Sequence, residues 1–266
     1  MAFTAQDVKK LREMTNVGMM DCKKALQATD GDMDKAVDWL REKGLAKAAK
    51  KADRIAAEGV AYATVVNGVG VVIEVNSETD FAAKTDSFMD LVKNLAVVVA
   101  EQNPADVEAL KACKYPNSNL TVTEIMQEKV MSIGENMVIR RFDRFAENTS
   151  VAYVHAGGSH GVLVNLAVEG DIDATEIGKN VAMQIAAMGA KYWDKSLVPQ
   201  ADVDHELAVQ VAAMDNDPKM AGKPAQVKEK IAAGKIAAFY KEICLLQQDF
   251  VRSDLFQGSV EGYIAD

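Results

Sequence analysis

The spacing of apolar positions changes along the chain, and each change marks a predicted element. Over residues 1–42 apolar side chains recur every three or four positions in three short runs. Val8 and Leu11 share one face of the first, behind Thr4 and Asp7, which form a near-capping box. Asn16-Val17-Gly18 breaks the pattern; Ala25 and Leu26 resume it, and Thr29-Asp30-Gly31-Asp32 is a second turn. Met33, Ala36, Val37 and Leu40 define a third helix. So short a segment makes a marginal core, so it reads as a small module tied to a larger body. Met19 and Met20, at the turn into the second helix, suit either a core or a surface that adapts to a partner.

Residues 43–58 carry Lys43, Lys47, Lys50, Lys51 and Arg54 among alanines, the pattern of a solvated helical linker. A nucleic-acid patch is the weaker reading, because no aromatics are interleaved for base stacking. Val69 to Val75 then reads as a buried strand, and a helical pattern begins near Ser87. The loop between them holds Thr79-Asp80-Phe81-Ala82-Ala83. A phenylalanine left in water forfeits about 1.5–3 kcal/mol, so Phe81 should be buried against something. Either Thr79 or Asp80 caps a short helix and Phe81 folds back onto the core, or Phe81 is an aromatic wedge held out for a partner.

A repeat organises the rest. Val60-Ala61-Tyr62 and Val151-Ala152-Tyr153 are 91 positions apart, and so are Gly70-Val71 and Gly161-Val162. Both segments read as strand, glycine-containing turn, strand, and a helix follows each. Lys93-Asn94-Leu95-Ala96 matches Lys179-Asn180-Val181-Ala182 at a spacing of 86. The first copy's strand-to-helix connection is therefore expected to be five residues longer, in the segment holding Phe81. Residues 104–135 read as helical, with a capping box at Thr121 and Glu124, and Ile133-Gly134-Glu135-Asn136 ends that helix before a strand from Val138 to Phe145. Asp202 to Met214 and Pro224 to Ile243 suggest an antiparallel helical hairpin with Val203, Leu207, Val227 and Ile231 along its seam.

Composition narrows the function classes. The chain has 266 residues, 49% hydrophobic and 26% charged, so it is globular and long enough for two compact units. A net charge of −9 argues against a nucleic-acid surface. Cys22, Cys113 and Cys244 lie too far apart for a disulfide framework or metal-ligand spacing. Met1-Ala2-Phe3-Thr4 begins no signal peptide, and no apolar run approaches the ~18 residues of a membrane span, so a cytoplasmic protein is expected. No residue set reads as catalytic or metal-binding. Asn67-Gly68-Val69-Gly70 joins two strands and is a hairpin turn, not a phosphate loop. His155 and His160 bracket another hairpin turn, and a satisfied or partner-facing role fits them better than a metal site.

Four stretches resemble the bacterial-type translation elongation factor Ts family. They are Leu11 through Leu26, Glu74 through Lys84, Ile133 through Arg141, and Tyr153 with His155 and Gly161-Val162-Leu163-Val164. The resemblance implies an α+β fold: a ubiquitin-associated-like three-helix module with its linker (1–54), two related subdomains (55–146, and 147–200 completed by 241–266), and a projecting helical hairpin (201–240). It also implies a non-enzymatic guanine-nucleotide exchange factor without cofactor, binding elongation factor Tu in its GDP-bound and nucleotide-free states and touching neither nucleic acid nor membrane. Asp80, Phe81, Ala82 and Ala83 would dislodge the partner's Mg²⁺. Arg12, Met19, Met20, Ile133, Gly134 and His155 would bind the partner, and the helical hairpin could self-associate. Ala82 stands where the family usually has valine. After Leu245-Leu246-Gln247 the family runs through a longer tail with a strand and a terminal helix, whereas this sequence stops at Asp266. The rival readings are a non-exchanging adaptor working through the N-terminal helices and an enzyme with catalytic residues scattered in sequence.

Overall fold

The computed structural model describes residues 3–15, 17–220 and 222–266, and all their side chains except those of Leu45, Lys47 and Ala48. Asn16 in the predicted break and the Lys47 side chain in the linker lie outside the described residues. The chain forms two compact units, Met1–Ile172 and Asp173–Asp266.

The first unit opens with α1 (Ala5–Thr15), α2 (Met19–Ala28) and α3 (Met33–Lys51). Thr4 and Asp7 cap α1 reciprocally: the Asp7 carboxylate accepts from the Thr4 N–H at 2.7 Å, and the Asp7 N–H donates to the Thr4 hydroxyl at 3.3 Å. Val8, Leu11, Cys22, Ala25, Leu26, Ala36 and Leu40 bury one another in a small core. The expected helical linker is the continuation of α3, unbroken as far as Lys51.

Strands β1 (Glu58–Val66) and β2 (Val69–Ser77) form the first predicted hairpin around Asn67-Gly68. Helix α4 (Asp80–Ala83) and α5 (Asp86–Gln102) follow. The fully buried Phe88, Leu91, Leu95 and Val99 run along one stripe of α5, which packs on β1 and β2. Residues 104–135 are helical in two pieces. They fold as α6 (Val107–Ala112) and α7 (Val122–Ile133), separated by a loop through Pro116 and Asn117. Proline disfavours helix in the residue before it, and Asn117 sits at a φ of 55°. The Thr121–Glu124 capping box starts α7 as expected. Strand β3 (Met137–Phe145) joins β2 to complete a β1-β2-β3 antiparallel sheet.

The second hairpin, β4 (Thr149–His155) and β5 (His160–Leu166), packs against β1 and β2. The two glycines matched by the repeat meet at this seam. A Cβ on Gly70 would lie 2.4 Å from the Ser150 Oγ, and one on Gly161 would lie 2.7 Å from the Ala61 carbonyl oxygen. Each copy's glycine therefore makes room for the other copy. The five-residue difference between the copies does not fall in the strand-to-helix link: 78–85 and 167–174 are both eight residues long. Instead β2 runs further and α5 starts earlier than their counterparts, and only the first link contains a helical turn.

The second unit holds α8 (Thr175–Met188), α9 (Gln200–Asp215), α10 (Ala225–Ile243) and α11 (Val260–Ala265). Helices α9 and α10 pair as the predicted hairpin. Its buried positions on α10 are Lys228, Ala232 and Ile236, one residue on from the predicted Val227 and Ile231. Apolar residues almost surround α10, so the sequence leaves its inward face ambiguous. Gln184 of α8 is fully buried; its amide nitrogen donates to Gln248 at 3.1 Å and to the Asp249 carbonyl at 3.2 Å, and its oxygen accepts from the Val251 N–H at 2.8 Å. Beyond it the tail makes a single bridge, Asp249 to Ser259, before the terminal α11.

Candidate functional site

Helix α4 is a single turn, and the residues around it explain why it forms. The Thr79 hydroxyl accepts from the Ala82 N–H at 3.2 Å, capping the start. The Thr85 hydroxyl donates to the Ala82 carbonyl at 2.8 Å, closing the end. Ala82 and Ala83 are buried, and their small side chains bring the turn close to β1 and β2. Phe81 points the other way and is 80% exposed. Of the two readings of this loop, the cap is present and the fold-back onto the core is not. Asp80 is half-exposed and its carboxylate lies 2.6 Å from the Lys84 ammonium. That hydrogen bond holds the Asp80 carboxyl below its usual range and raises Lys84.

The turn is anchored from a distant part of the chain. Gly134 ends α7 at a φ of 90°, a left-handed conformation open to glycine at little cost, and the chain turns there into Glu135 and Asn136. The Glu135 carboxylate accepts from the Thr79 N–H at 3.0 Å and from the Thr79 hydroxyl at 2.7 Å. In return the Glu78 carboxylate accepts from the Asn136 N–H at 2.7 Å, which lowers the Glu78 pKa. The Asn136 side chain is buried and donates to the Arg54 carbonyl at 2.8 Å. Arg54 lies 3.4 Å from the Glu78 carboxylate, and Lys51 donates to the Gly134 carbonyl. The end of α3, the α4 turn and the α7–β3 corner thus form one hydrogen-bonded group.

Two predicted site residues, Ile133 and Gly134, are brought to the Asp80-Phe81 turn through this group. Ile133 packs partly against the main core, and Gly134 is exposed. Arg12, Met19 and Met20 are exposed around the α1–α2 corner, with Met19 at 51% and Met20 at 65%, so the core reading of the methionines does not hold. Met14 adds a further exposed sulfur there. His155 belongs to a separate group at the tip of the β4–β5 hairpin, where its Nδ1 is 2.9 Å from the Tyr153 hydroxyl and its ring meets His160 edge-on. Glu78, Glu135 and Asn136, which build the group, are not among the predicted site residues.

A family model described as Elongation factor TS matches residues 78–266, most of the chain. The chain belongs to the elongation factor Ts family. The match begins within the hydrogen-bonded group, at Glu78, and takes in the Asp80-Phe81 turn, the α7–β3 corner, the His155 hairpin and the second unit. Arg12, Met19 and Met20 precede it. Elongation factor Ts proteins are nucleotide exchange factors directed at elongation factor Tu in translation elongation, and membership gives this chain that role and that partner. No helix among the described residues is long and apolar enough to cross a membrane.

Proposed function

We propose that the protein drives GDP release by setting Phe81 and Asp80 against the Mg²⁺ and phosphate site of elongation factor Tu. The exposure of Phe81 on a capped, clamped turn carries this reading: burying that ring on a partner gains free energy which the free protein forgoes. Ala82 and Ala83 supply the packed side of the turn. Mg²⁺ is a large local charge holding the phosphates, so displacing it loosens the nucleotide. By linkage, bound nucleotide must weaken the factor's hold on its partner by the same ratio.

The remaining residues attach the factor. Arg12, Met19 and Met20 would grip the partner from the N-terminal module, Ile133 and Gly134 would flank the wedge, and His155 would meet the partner elsewhere. In this scheme residues 1–54 anchor, 55–146 carry the wedge, 147–200 with 241–266 form the second subdomain, and 201–240 project as an insertion. The work is done in the cytoplasm, where the partner is. The direct test is release of labelled GDP from elongation factor Tu. The rate should rise with added protein and saturate, and an unchanged rate would overturn the reading.

A further inference from the structure

The turn that presents Phe81 is only four residues long, packed on one side through Ala82 and Ala83, and its outward side chain touches solvent. A ring on a turn free to move could take many orientations, and each one that must be given up as the nucleotide leaves would raise the barrier to release. The structure removes that freedom by a reciprocal exchange of carboxylates between two segments far apart in sequence. Glu135 takes both polar hydrogens of Thr79, and Glu78 takes the N–H of Asn136. The Thr79 hydroxyl, while donating to Glu135, accepts from Ala82, so the same group fixes the turn's start and its attachment.

We propose that Glu135, with Glu78 completing the pair, is a positioning residue for exchange: it holds the α4 turn so that Phe81 meets the partner already oriented. This rests on the wedge reading above and adds a residue which acts through Phe81 and need not touch the nucleotide site. Two bonds to one carboxylate are charge-assisted, and their loss is felt at the turn they hold. Because the fixed orientation is required only while the nucleotide is leaving, the effect belongs to the maximal rate more than to attachment.

The test is a titration of GDP release from elongation factor Tu with the full-length wild type, Glu135→Gln, Phe81→Ala and the double variant. Glutamine keeps the shape but offers one acceptor oxygen where two are needed. Glu135→Gln should lower the saturating rate about tenfold, the equivalent of one charged hydrogen bond, with the half-saturating concentration little changed. The double variant should be no slower than Phe81→Ala alone, because a residue acting through Phe81 has nothing to add once the ring is gone. Should Glu135→Gln fail to fold, Thr79→Val removes the hydroxyl bond to Glu135 together with the cap on the Ala82 N–H, Thr79→Ser restores both, and only the valine variant should be slow. A wild-type saturating rate for Glu135→Gln beside a slow Phe81→Ala overturns the positioning role and leaves the wedge standing. Independent losses that multiply in the double variant also overturn it. A wild-type saturating rate for Phe81→Ala overturns the wedge, and the positioning role with it.

Discussion

The Asp80 carboxylate sits 2.6 Å from the Lys84 ammonium, one helical turn away, so the acid beside the exposed ring already has a cationic partner in the free protein. Lys84 thereby keeps Asp80 ionised to lower pH than an isolated aspartate. The sign follows from the lowered value: any stabilisation from the pair is present above the unfolded aspartate range and is lost as pH falls through the folded one. Lys84→Met should move the Asp80 titration midpoint upward, read by carboxyl-carbon NMR. A midpoint that stays put would mean the pair is not formed in solution.

Phe81 and Phe88 are seven positions apart and should behave oppositely. Phe81 is 80% exposed and Phe88 is fully buried in the main core. Phe81→Ala should change unfolding free energy by no more than about 0.5 kcal/mol while slowing GDP release. Phe88→Ala should cost about 3–5 kcal/mol. Urea unfolding of the two variants checks the contrast, and comparable losses would place Phe81 in a core.

Attachment and exchange should separate. Arg12→Ala with Met20→Ala should raise the concentration needed for half-maximal GDP release, since lost contacts appear mainly in dissociation. Saturation should then recover most of the rate. Asp80→Ala with Phe81→Ala should stay slow at any concentration, because only contacts favouring the nucleotide-free partner drive release. If both pairs reach the wild-type plateau, Asp80 and Phe81 are further anchors and nothing more.

In the second unit, Gln184 is the residue whose loss should matter most relative to its unremarkable place in the sequence. Gln184→Leu keeps the volume but removes the partner of the Val251 N–H and of a Gln248 side-chain oxygen. The expected loss is about 1–3 kcal/mol, measured by thermal unfolding of the full chain with its exchange activity followed in parallel. A variant as stable as wild type would show that water takes over those bonds.

Features set within a few residues were legible in the sequence, and features set by distant partners were not. The capping boxes at Thr4–Asp7 and Thr121–Glu124, both hairpins and the helical pair all rest on neighbours at fixed short offsets. Phe81 drew notice because an aromatic in a polar loop is locally anomalous, although its neighbours alone could not say which way it points. The clamp was invisible because Thr79 and Glu135 are 56 positions apart, and no pattern along the chain pairs them. The inward face of α10 was misjudged by one residue for the same reason: its partner, not its own pattern, selects Ala232 over Ile231.

Gly70 and Gly161 put the two hairpins under a mutual veto. Since the space beside each is filled by the other copy, neither half can acquire a side chain there without displacing its sibling, and the seam must stay plain in both. The outer ends carry no such obligation. The links are equal in length and differ in form: one is a helical turn bearing an aromatic and the other is irregular. Pseudo-symmetry at the joint and asymmetry at the rim are then two results of one constraint, with specialisation confined to where a copy has no twin to satisfy.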